Sequence, residues 1–170
     1  MSHAKNKVDW CLKKAEKEVK EQGSHRGLVK SKPDKEKAFK FIGKAEHNFK
    51  AAVEFSKIGF SDWSASAFFY SMYHCFLAIS AKFGYESGNQ ECTFALIKSL
   101  AEDKKIDLDR EIIEKVASID INKSEENTTG VKIREQYQYG TQLSIDEDLY
   151  KELFELAQIL LSKTKEIIEE

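Results

Sequence analysis

The sequence predicts an all-α fold, an up-and-down bundle of four to five helices, and three observations carry that expectation. First, 170 residues hold only one proline and eight glycines, while Lys, Glu, Ala and Leu are abundant, residues that lose little rotamer freedom in a helix. Second, apolar side chains recur at steps of three and four along most of the chain. Third, the 18 residues from Ser64 to Ala81 contain no Asp, Glu, Lys or Arg. Such a segment is either a membrane span or the buried axis of a bundle.

Taken in order, residues 7–21 form a short, weakly apolar helix with Val8, Cys11, Leu12, Ala15 and Val19 on one stripe. The glycines, the proline and the polar residues of QGSHRGLVKSKPD then read as a loop or linker. This sets residues 1–32 apart as an N-terminal helical extension and 33–170 as the bundle. Pro33 with Asp34 and Glu36 signals a helix start. Ala38, Ile42, Ala45, Phe49, Ala52 and Ser56 then mark one face of a long amphipathic helix. Gly59 is placed to end it, and Ser61 or Asp62 to cap the next.

That next helix is the charge-free one. Phe68, Met72, Cys75, Ile79 and Phe83 make one stripe, and Ala65, Phe69, Tyr73 and Phe76 a neighbouring one. Seven polar-capable groups within it (Ser64, Ser66, Tyr70, Ser71, Tyr73, His74 and Ser80) and the lack of a second such segment favour central burial over a span. Ser87 with Gln90 reads as a capping box for a helix carrying Phe94, Ile97 and Leu100. Leu108, Ile112, Val116 and Ile119 mark a further short helix. IDINKSEENTTG is turn-like, and VKIREQYQYGTQLSI fits an extended segment, a hairpin or an imperfect helix. Ser144 with Glu147 reads as a capping box for a last helix bearing Leu149, Leu153, Leu156, Leu160 and Ile167.

Charge is unevenly spread. Residues 1–60 hold 15 Lys and Arg against 8 Asp and Glu, and residues 61–170 hold 12 against 21, so a net charge of −2 divides into +7 and −9. A basic half attracts phosphate or an acidic partner; Lys interleaved with Glu at helical spacing is more simply a solvated helix face. Cys11, Cys75 and Cys92 are odd in number and widely spaced, which predicts neither a disulfide framework nor a zinc site and fits a reducing cytoplasm. The N-terminus carries no apolar stretch of the signal-peptide kind.

No glycine-rich phosphate loop, GxSxG, HExxH or metal-ligand spacing occurs, so no catalytic residue, metal or cofactor is expected. Of the four histidines, His47 falls on a Lys-rich polar face. His74 is different, because an imidazole inside an apolar helix must find hydrogen-bond partners. WSASAFFYSMYHCFLAISAKFGYESGNQECTFALIKSL, preceded by KAEHNFKAAVEFSKIG, resembles the HEPN domain, the higher eukaryotes and prokaryotes nucleotide-binding domain. The likeness rests on Ala65, Tyr70, Tyr73 and His74 and covers roughly residues 36–170.

The resemblance implies a dimeric helical bundle, often paired with a minimal nucleotidyltransferase, many members being metal-independent ribonucleases of toxin-antitoxin and defence systems. The nuclease members carry Arg followed by His after four to six residues: the Arg stabilises charge on a phosphate and the His moves a proton. Here the positions 139–141 after Arg134 hold Tyr139, Gly140 and Thr141, and neither Arg26 nor Arg110 satisfies the motif. The expectation is therefore a non-catalytic, homodimeric, cytoplasmic module for nucleotides, RNA or a protein partner, with Tyr70, Tyr73, His74, Arg134, Tyr137 and Tyr139 as ligand contacts. A ribonuclease with an unusual Arg134/Tyr139 site, or one using His74, and a purely structural subunit are the alternatives.

Overall fold

The structure, a computed structural model, describes residues 2–119 and 137–170. It bears out the all-α class: the described elements are α1 (His3–Gln22), α2 (Lys35–Lys57), α3 (Ser64–Lys82), α4 (Gln90–Glu102), α5 (Arg110–Ile119) and α6 (Glu147–Glu169), with one small sheet added. No helix among the described residues is long and apolar enough to cross a membrane.

α3 is the axis. Fourteen of its residues are buried, and α2, α4, α5 and α6 all pack on it. Its tightest neighbour is α2, and small residues explain why. Ala38, Ala45 and Ala52 stand seven residues apart on α2, and Ser64, Ser71 and Ala78 seven apart on α3; all six are fully buried. Ser64 Oγ donates to the Ala52 carbonyl and Ser71 Oγ to the Ala45 carbonyl, both at 2.7 Å, while Ala38 and Ala78 share one apolar cluster. Side chains this short let two antiparallel backbones approach, and each hydroxyl uses the carbonyl's second lone pair. On another flank Phe68 meets Phe49, Tyr150 and Phe154 at centroid distances of 5.3–6.2 Å, which joins α2, α3 and α6 in one aromatic core.

Several local expectations are corrected. α4 is capped not by Ser87 but by Asn89, whose side chain accepts from Cys92 N. α6 is capped not by Ser144 but by Asp146, which accepts from Asp148 N and Leu149 N. Neither Ser61 nor Asp62 caps α3, since a 3-10 turn over Ser61–Trp63 leads directly into it; Ser61 Oγ instead accepts from Ile145 N and moors the α6 end. The stretch read as a linker contains β1 (Leu28–Lys30), paired antiparallel with β2 (Tyr85–Ser87). The region 120–136 lies outside the described residues.

The largest correction concerns the cysteines. Cys11 and Cys92 form a disulfide that fastens α1 to α4. Linear spacing cannot show it, because the partners are 81 residues apart and meet only through helix docking. The ground for expecting a reducing compartment falls with it. Cys75 is the free one, and burial pushes its thiol up to about 12 despite a Thr164 hydrogen bond that lowers it.

Two glycines test the chain's turns. Gly59 (φ +87°) and Gly84 (φ +78°) both lie in the left-handed region, but a Cβ on Gly59 would meet open space, whereas one on Gly84 would come within 2.8 Å of the Ser31 carbonyl oxygen. Gly59→Ala is expected to cost about 1–2 kcal/mol, the left-handed penalty alone. Gly84→Ala should cost more, and paired urea unfolding curves measure the difference.

Candidate functional site

Almost all of α3 is hidden, so what it leaves in reach of solvent is a short inventory. Ala67, Tyr70, His74 and Leu77, spaced by three and four, form its half-buried or exposed stripe. α2 supplies the neighbouring bank. Phe41 lies 6.1 Å from the His74 ring by centroids, Asn48 Nδ2 sits 3.4 Å from His74 Nδ1, and Lys44 is close enough to disfavour charge on the imidazole.

The orientation of His74 follows from one bond. Its Nδ1 is 2.6 Å from the Tyr70 carbonyl, four residues back. A carbonyl only accepts, so Nδ1 carries the proton and Nε2 keeps its lone pair. Burial, first, and then Lys44 hold the ring's pKa below the usual 6.5, against the Tyr70 bond, which raises it. At neutral pH His74 is thus an uncharged ring offering Nε2 as an acceptor.

Phe41 and Leu77 also line an adjoining cavity of about 260 Å³, bordered by Lys37, His25 and the β2 residues Tyr85, Glu86 and Ser87. Lys37 is paired with Glu86 across it at 2.8 Å. Cavity and stripe adjoin through Phe41 and Leu77, with the Lys37–Glu86 pair at the cavity and Lys44 near His74.

Elsewhere part of the basic half is neutralised locally. Lys14, Lys17, Lys20, Lys40 and Lys57 each pair with a Glu three or four residues away, and Lys7 and Lys165 reach Glu91 and Glu46 on other helices. The reading of a solvated, Glu-answered face therefore describes α1 and the ends of α2. Lys44 and Lys50 make no ion pair among the described residues.

The expected contacts are only partly brought together. Tyr70 and His74 lie side by side on the stripe. Tyr73 lies behind them: it is buried, its ring meets His74 edge-on at 6.3 Å and stacks on Phe69, and its hydroxyl shares a 3.2 Å hydrogen bond with Thr93 in the core. Tyr137 is buried as well, accepting from Asp146 N at 3.5 Å, so it braces the α6 cap. Tyr139 is 76 % exposed, and Arg134 lies outside the described residues. Phe41, Lys44 and Asn48 were missed in the sequence, although Lys44 and Asn48 flank the four-residue steps of the α2 core stripe. No group of residues suited to a metal ion occurs among the described residues.

Compared with known proteins, the chain matches no family model and no curated sequence.

Because the folded ring binds its proton less tightly than a free imidazole, the unfolded chain takes up more protons below about pH 6.5. The His74 contribution to stability is whole above that pH and is lost as pH falls toward the folded-state value. Ring NMR should show a midpoint below 6.5 and the Nδ1–H tautomer, and His74→Gln should flatten that part of the stability profile.

Proposed function

We propose that the protein is a non-catalytic helical binding module of the HEPN type, whose ligand is a nucleotide or single-stranded RNA held on the α2–α3 face. The observation that supports this best is the His74 constellation: a neutral ring with Nε2 free to accept, next to Lys44, which makes no ion pair among the described residues, beside the Phe41 ring and one turn along the stripe from Tyr70. An ammonium holds phosphate, an acceptor nitrogen takes a ribose hydroxyl, and an aromatic face stacks on a base. The 260 Å³ cavity beside it has room for a compact ring.

The same reading favours binding over cleavage. A ribonuclease of the kind the resemblance implies uses an arginine to stabilise the charge built on phosphorus, with the histidine as proton carrier. Of the described arginines, Arg110 is engaged with Glu114 at 2.8 Å and Arg26 belongs to the loop after α1, its backbone N–H donating to Glu18. Homodimerisation and a minimal nucleotidyltransferase partner belong to the proposal as what the resemblance implies.

Anisotropy titrations with labelled single-stranded RNA, and competition by ATP, test it. Lys44→Ala is expected to weaken binding by about tenfold, the loss of one charge-assisted contact, and His74→Ala by a similar factor, with the RNA left uncut with or without chelator. Absence of binding to both probes would remove the nucleotide part. Metal-independent cutting abolished by His74→Ala would replace it with the ribonuclease reading.

A further inference from the structure

α1 turns its smallest residues inward. Ala4, Val8, Cys11 and Ala15 are its buried positions, whereas its largest apolar side chain, Trp10, is 49 % exposed between the ammonium groups of Lys7 and Lys14. So little apolar area contributes little to docking. The polar ties are also slight: Lys7 with Glu91 on α4, both reaching solvent, and Glu18 with the Arg26 backbone. The covalent bond between Cys11 and Cys92 is the strongest link between this helix and the bundle.

We propose that the Cys11–Cys92 disulfide is a reversible redox strap, cleaved by dithiol reductants, whose reduction releases α1 from α4 and uncovers the outer side of α4.

The chemistry has a built-in direction. Cys92 is the third residue of α4, its backbone N–H donating to the Asn89 cap. A sulfur in the first turn of a helix faces the positive end of the macrodipole, which favours a thiolate there. Cys92 is therefore the better leaving group. A reductant thiolate attacks Cys11 Sγ, the Sγ–Sγ bond breaks, and the electron pair leaves on Cys92 Sγ, which then takes a proton. The second thiol of the reductant, as thiolate, attacks the mixed disulfide and releases Cys11, which is protonated in turn. Two electrons and two protons pass to the protein, and the reductant becomes a cyclic disulfide. Both cysteines are shielded while α1 is docked, so attack follows local opening of α1. Cys75 stays out of the exchange, being fully buried beside Thr164 with its thiolate strongly disfavoured.

The test compares native protein incubated with oxidised glutathione, with dithiothreitol, and with dithiothreitol followed by reoxidation. Alkylation and intact mass should count no reactive thiols in the oxidised native protein and two in the reduced. Hydrogen exchange over α1 should then speed by about tenfold or more, reflecting a docking equilibrium shifted by at least that factor, with α2, α3 and α6 unchanged and protection regained on reoxidation. Cys11→Ser without reductant should match the reduced wild type. A bond that dithiothreitol cuts only after denaturation, an α1 equally protected when reduced, or cysteines that oxidised glutathione fails to join would each overturn the proposal.

Discussion

The close antiparallel contact of α2 and α3 is the constraint from which the rest of the architecture follows. Ala45 and Ala52 present carbonyls to Ser71 and Ser64 at 2.7 Å, an approach that only side chains of one or two heavy atoms permit. Once α2 lies so near, the bulky residues of α3 must point to its other sides. There Phe68 meets α6, Phe76 and Tyr73 meet Phe94 of α4, and Phe49 of α2 closes the gap to Phe154. What remains uncovered is the stripe holding Tyr70 and His74.

Position on the helix then decides chemistry. Tyr73 and His74 are neighbours in sequence, yet a step of about 100° sends one to Thr93 in the core and leaves the other beside Lys44. The sequence pattern shows that both are unusual in an apolar helix, and only packing separates the structural tyrosine from the accessible imidazole. The electrostatics divide likewise. Part of the positive charge in the first 60 residues is answered by carboxylates, and Lys44, which makes no ion pair among the described residues, is the cation that bears on His74.

Helix periodicity made the α2, α3 and α6 spans and the burial of α3 legible, because 3.6-residue repetition is a local signal. Caps were less so, since Ser87, Asn89, Ser144 and Asp146 are all competent N-caps and the tertiary path selects among them. The Cys11–Cys92 bond and the β1–β2 pairing were invisible for one reason: both join segments distant in sequence. The Ala and Ser heptads of α2 and α3 were in plain view, but small residues weigh little in an apolar count, and their meaning emerges only when two helices are seen to touch. Tyr70 and His74 were found from their residue types, whereas Phe41, Lys44 and Asn48 belong to the site through their neighbours on α3.

The unfolding free energy of Ala45→Leu, measured in urea beside Lys50→Leu on the exposed side of the same helix, tests the role of that contact most directly. Overpacking at Ala45 should cost about 1–3 kcal/mol or more, while the exposed substitution should stay within about 0.5 kcal/mol. An Ala45→Leu protein as stable as Lys50→Leu would contradict the account, because it would mean that α2 and α3 do not depend on small residues to meet.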